Sequence, residues 1–182
     1  NTMLIGWYST VEMFKTLARS ELLSTFFPTW LWQGRQWSSL NVPKHDHNYW
    51  FNTHAHPVLS TYYPTNILTA IIGARLSLDK AFNLYIIHYF IHFMLLFTGW
   101  ITLLLQFTKP EIALFGAITF TFQAAHLRQQ PCIIYTIAWF PWMLYGLITH
   151  NTLLSSISIG MIILAGYYPL AVFLLPISIF FG

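Results

Sequence analysis

The chain has 182 residues, of which 56% are hydrophobic, 19% aromatic and only 7% charged, with a formal net charge of +3. A soluble domain carries about 25% charged residues, so the composition speaks against a water-soluble globular domain and for an all-α, polytopic membrane protein. The few cations form no basic stripe, which argues against a nucleic-acid partner.

Ser9-Thr10-Val11-Glu12 fits a capping box, in which a hydroxyl and a carboxylate satisfy helix-end donors reciprocally. Phe14, Leu17 and Ala18 then share a helical face, while Lys15, Arg19 and Glu21 point elsewhere. This predicts an amphipathic helix over residues 10–24, lying at a membrane interface. Pro28-Thr29-Trp30 reads as a turn, and Trp30, Trp32 and Trp37 as an aromatic belt at headgroup depth. Residues 38–60 read as loop. Pro64 to Leu78 is apolar but short of the roughly 20 residues that a crossing needs, which predicts a re-entrant or interfacial helix ended by Asp79-Lys80.

Ala81 to Phe107 is long enough to span. Thr108-Lys109-Pro110-Glu111 is a tight turn, with Pro110 suited to a first helical position. Residues 110–126 read as a second span and His126 to Pro131 as a polar connector. Residues 131–149 form a third span, broken near Pro141; residues 152–168 form a fourth, and a fifth begins at 170. Two regions follow: a long loop over 1–80 with amphipathic and re-entrant helices, and about four complete spans over 81–182 with the last one truncated. The first residue, Asn1, and the apolar end at Gly182 suggest a fragment of a longer protein. Alternating spans would place residues 1–80, the 126–131 connector and Tyr167-Tyr168-Pro169 on one side, with 108–111 and 150–151 on the other.

Polar chemistry gathers on that first side. Residues 1–60 hold four of the eight Lys and Arg, three of the five acids and four of the eight His. His45, His47, His54 and His56 alternate in pairs, so on extended backbone each pair points one way. Imidazoles with the carboxylate of Asp46 suit a divalent metal ion; a solvated loop is the plainer reading. His126, Arg128, Gln129 and Gln130 make a donor-rich connector, and the Arg128 guanidinium is a fork suited to phosphate oxygens. Trp139 is open between stacking on a sugar and the aromatic belt, to which Trp142 is assigned. His88 and His92 stand four apart on one face of the first span, where ionisable groups invite a functional reading; cavity lining or an interhelical hydrogen bond is expected. The single cysteine, Cys132, excludes an intrachain disulfide and reads as a small buried apolar residue.

The order of several pieces resembles a family. Pro28-Thr29-Trp30, Tyr63-Pro64-Thr65-Asn66-Ile67-Leu68, Asn83-Leu84 with His88 or His92, Ala138-Trp139-Phe140-Pro141-Trp142 and Ala165-Gly166-Tyr167-Tyr168-Pro169 follow one another as in bacterial YfhO-type membrane proteins of the GT-C glycosyltransferase superfamily. The resemblance covers roughly residues 8–180. It implies a multi-pass protein of the bacterial cytoplasmic membrane that moves a sugar from a polyprenyl-phosphate carrier to an envelope polymer or glycan acceptor, working on the extracytoplasmic side among membrane lipids. The family's acid, an Asp shortly after the first span, should fall near or before Asn1. No acid occurs among residues 1–11, which leaves Asp46 as the candidate catalytic carboxylate, able to take the acceptor's proton or hold a metal on the carrier phosphate. His54, His56, His126, Arg128, Gln129 and Trp139 are the candidate substrate-binding residues, and His45, His47, His54 and His56 the candidate metal ligands. The alternatives are a non-catalytic envelope assembly protein, a lipid or solute transporter that would use His88 and His92 as a path, and a metal-uptake protein.

Overall fold

A computed structural model describes residues 26–41, 60–125, 131–166, 171–174 and 176. Among them all regular structure is helical: α1 (Phe27–Ser38), α2 (Pro64–Gly73), α3 (Leu78–Leu104), α4 (Pro110–Ala125), α5 (Pro131–Ala138), α6 (Phe140–Ile148) and α7 (Thr152–Leu164). The amphipathic helix expected over 10–24 lies outside the described residues.

Two boundaries differ from the sequence reading. Pro28 is not a turn residue. It stands at the start of α1, where a fixed φ favours the helix and the missing N–H is not needed. Phe27, Trp30, Gln33 and Gly34 form the buried face of α1, so Trp30, only 2% exposed, is a core residue and not part of a headgroup belt. The second difference concerns Asp79 and Lys80. They do not end the short helix, which stops at Gly73, but open the long one, where Asp79 in the first turn complements the helix dipole.

At α1's far end, Leu40 adopts a left-handed φ of 56°, and the Asn41 N–H reaches the Gln36 carbonyl at 2.9 Å while that of Leu40 reaches Trp37 at 3.0 Å. This pair of bonds caps the last carbonyls. The α5–α6 break falls at Trp139, two residues before Pro141. A proline ring collides with the carbonyl four residues back, so the chain restarts as α6 with Trp139 at its N-cap. Asn151 caps α7 by accepting from the Leu154 N–H at 3.0 Å.

α3 is the axis. Its 27 residues reach about 40 Å at 1.5 Å per residue. The antiparallel pair α1–α2 covers its N-terminal half, with Phe27, Trp30, Ala70, Ala81 and Tyr85 as a shared core. That pair is tightly seated, since a Cβ on Gly34 would collide with the Ala70 carbonyl. α4, α5, α6 and α7 gather on the C-terminal half. Trp100 stacks on Phe120 of α4 at 4.6 Å between ring centroids. The Trp142 indole of α6 donates to the Leu95 carbonyl at 2.9 Å, beside Gly99, whose lack of a side chain admits Pro141 and Trp142. α7 packs on α6 through Gly146 and Ser155. The two halves meet near His88 and His92.

Among the described residues, only α3 is both long and apolar enough to cross a membrane; the other apolar helices are shorter.

Candidate functional site

At the junction of the two halves the chain assembles a buried polar hub from four elements. Ser60–Tyr63 forms a turn leading into α2. Tyr63 precedes Pro64 and is extended, with φ −72° and ψ 117°, because the proline ring disfavours helical backbone at that position. Its ring is thereby turned back onto the middle of α3 and is fully buried. His88 and His92 come from one face of α3, Tyr135 from α5, and Trp139 from the α5–α6 break.

The hydrogen positions follow from the partners. His92 Nδ1 lies 2.8 Å from the His88 carbonyl, which only accepts, so that nitrogen carries the proton. His92 Nε2 is then an acceptor, and the Tyr63 hydroxyl donates to it at 2.7 Å. The Tyr63 oxygen in turn accepts from the Trp139 indole N–H, also at 2.7 Å. Burial pushes the Tyr63 phenol up to about 12, so it keeps the proton that it donates. Around His88, Nδ1 pairs with the Tyr135 hydroxyl and Nε2 with the Thr65 hydroxyl, each at 3.1 Å, and since both hydroxyls can donate or accept, either neutral tautomer satisfies the pair. The rings are also in contact. Tyr63 stacks on Tyr135 at 5.4 Å and 15°, and the two imidazoles meet edge to face at 4.6 Å. The interhelical hydrogen bonds expected of His88 and His92 are therefore present, on Thr65, Tyr135 and Tyr63.

A second network adjoins the first. Asn66 Nδ2 donates to Gln33 Oε1 at 3.0 Å and to the Ser60 carbonyl at 3.1 Å, and the Ser60 hydroxyl donates to the Ala165 carbonyl at 2.7 Å. It ties α1, the turn, α2 and the end of α7 together. The sequence reading did not pair Gln33 with Asn66. The available signal was a polar residue on the same face as Phe27, Trp30 and Trp37, since a buried amide on an apolar face requires a partner.

Of the site residues expected from sequence, Trp139 lies in the hub, partly buried against Tyr63, Ile134 and Tyr135. His45, Asp46, His47, His54, His56, His126, Arg128 and Gln129 lie outside the described residues. Among the described residues, no group of three or more His, Cys, Asp or Glu is placed to hold a metal ion. Both nitrogens of each hub histidine already have a partner, so the pair serves to hold elements together.

No protein-family model, curated protein or solved structure matches the chain.

Proposed function

We propose that the chain is a GT-C-like polytopic membrane protein that transfers a sugar from a polyprenyl-phosphate carrier to an acceptor of the bacterial cell envelope. Residues 1–80, the 126–131 connector and Tyr167-Tyr168-Pro169 would share its extracytoplasmic working face. The observation that carries this reading is a convergence. The described residues bordering three polar segments meet at one place: Ser60 follows the histidine-rich loop, Cys132 and Tyr135 follow the Arg128 connector, and Ala165 precedes Tyr167. Ser60 bonds Ala165 at 2.7 Å, and Tyr63 stacks on Tyr135. A transferase of this kind needs donors for a carrier phosphate and a general base within reach of each other, and such a convergence favours Asp46, His54, His56, His126, Arg128 and Gln129 doing that work together.

The membrane setting has its own support. Residues 81–108 contain no Asp, Glu, Lys or Arg. Helix α3 exceeds the roughly 30 Å of a bilayer's hydrocarbon core. Its outward positions Ile87, Phe90, Ile91 and Met94 are apolar, as are Ile112, Phe115 and Phe122 on α4. Exposed threonines on these faces do not present free hydroxyls: Thr98, Thr102 and Thr119 donate to the carbonyls of Met94, Thr98 and Phe115 at 2.8 to 2.9 Å. Silenced hydroxyls suit a lipid-facing surface, where an unpaired polar group is expensive.

The test is transfer by the full-length protein in lipid nanodiscs, supplied with polyprenyl-phosphate-linked sugars and followed by loss of the lipid-linked sugar. Asp46→Asn is expected to slow transfer by about a hundredfold, the usual scale of a lost general base, and Arg128→Ala to weaken donor binding. If no polyprenyl-phosphate donor is consumed, and Asp46→Asn has no effect in cells, the reading is discarded.

A further inference from the structure

Ser60 is the strained point of the hub. Its φ of 64° puts a side chain in the left-handed region. Such strain persists where the surroundings over-determine the backbone, and it concentrates in switch regions. Side-chain hydrogen bonds hold the turn here: Ala165 through the Ser60 hydroxyl, Asn66 through the Ser60 carbonyl, Gln33 through the Thr61 hydroxyl, and His92 with Trp139 through the Tyr63 hydroxyl.

Only one of these attachments depends on a protonation state. Tyr63 donates to His92 because His92 is neutral with its proton on Nδ1. A second proton on Nε2 would turn that acceptor into a donor. The Tyr63 oxygen would then face the Trp139 N–H and an imidazolium N–H together, and its own proton would have to leave the His92 direction. The groups that titrate around His92 are Tyr63 from the turn, His88 from α3 and Tyr135 from α5. Tyr89 on α3 and Cys132 on α5 lie beside Tyr135, while α7 (Thr152–Leu164) carries no titratable side chain. No carboxylate among the described residues faces the ring. The described acids, Asp79 and Glu111, sit in the first turns of α3 and α4. Among the described residues a buried, charged His92 would have no counter-ion, which is costly unless the structure yields. The strained turn is the element able to yield, because α3 is packed along its whole length.

We propose that Tyr63 and His92 form a proton-sensitive latch: neutral His92 holds the Ser60–Tyr63 turn on the bundle, and protonation of His92 releases it. The released state binds one more proton than the latched state, so falling pH favours release. The latch does not depend on the sugar-transfer reading.

Hydrogen exchange on the full chain in lipid nanodiscs tests it. The reporters are the amide of Tyr63, bonded to the Ser60 carbonyl at 3.1 Å, and that of Ile67, bonded to the Tyr63 carbonyl at 3.0 Å. The Ser155 amide in α7 serves as a reference for global opening. Rates are divided by the intrinsic rate at each pH. In wild type, protection at Tyr63 and Ile67 is expected to fall about tenfold from about pH 8 to about pH 5, the range over which an exposed histidine charges, with Ser155 unchanged. His92→Gln can still accept from Tyr63 and cannot be charged, so its protection should stay flat. His88→Gln should keep the response. Tyr63→Phe should show low protection at both pH values, and it decides the matter if His92→Gln does not fold. A flat wild type overturns the latch. So does a pH response that survives in His92→Gln, which would belong to the loop histidines, or one that survives intact in Tyr63→Phe.

Discussion

The two halves of the α3 axis are held by different means. Around its N-terminal half, α1 and α2 fit by shape: Gly34 lies against the Ala70 backbone and the Trp30 ring against Gly73. Two buried polar atoms there, Trp30 Nε1 and the Tyr85 hydroxyl, have no hydrogen-bond partner among the described residues. At the junction with the other half, the Tyr63, His88, His92, Tyr135 and Trp139 side chains are instead joined by hydrogen bonds of 2.7 to 3.1 Å. Apolar contact is tolerant of a lost hydroxyl and intolerant of added volume. A saturated polar network fixes one arrangement, and removing a member strands its partners.

The sharpest way to break the first half is to add one carbon. In Gly34→Ala the new Cβ would collide with the Ala70 carbonyl, a backbone group that cannot rotate away. Overpacking of this kind costs about 3 kcal/mol where the neighbour is fixed. Thermal unfolding in micelles should show a large drop in Tm for this variant. An unchanged Tm would mean that α1 and α2 are not seated against each other as described.

The junction should respond most to a lost oxygen. Tyr63→Phe keeps the stacked ring and removes the donor to His92 and the acceptor for Trp139. Two buried groups are left unpaired, at a total of about 2–3 kcal/mol. The same unfolding measurement should place this variant between wild type and Gly34→Ala. A loss no larger than that of a surface substitution would show that water or another side chain replaces the phenol, and the contrast between the halves would fail.

How far the sequence carried the reading depended on whether the signal was local. The long α3 run was legible because its apolar stretch is uninterrupted, and so was the α5–α6 break, because Pro141 acts within a few residues of itself. Helix α1 was missed although Phe27, Trp30, Gly34 and Trp37 follow helical spacing, because Pro28 and three tryptophans suggested a turn and an interface. A proline at a helix start and one in a turn look alike until the next two turns are weighed. The hub was half legible. The four-residue spacing of His88 and His92 placed them on one face, but their partner Tyr63 is 29 residues from His92, and Trp139 is 76 from Tyr63. Nothing local encodes such a pairing. The histidine-rich loop and the Arg128 connector lie outside the described residues, so the chemistry expected of them rests on the sequence and on where their borders meet.

The smallest expected effect is the most diagnostic, because its sign differs between the halves. The Tyr85 ring packs 5.2 Å from that of Trp30 and 5.6 Å from that of Phe27, while its hydroxyl is buried with no hydrogen-bond partner among the described residues. Folding removes that hydroxyl from water without replacing its hydrogen bond. Tyr85→Phe keeps the ring contacts and removes the unpaired group, so it should stabilise the protein by up to about 1 kcal/mol. Tyr63→Phe makes the same chemical change and should destabilise. Measured side by side, opposite signs would show that the two tyrosines differ by partner and not by burial, since both are almost fully buried. Equal destabilisation would place a hydrogen-bond acceptor for Tyr85 in the segments outside the described residues, and would make the α1–α2 half as dependent on polar order as the junction.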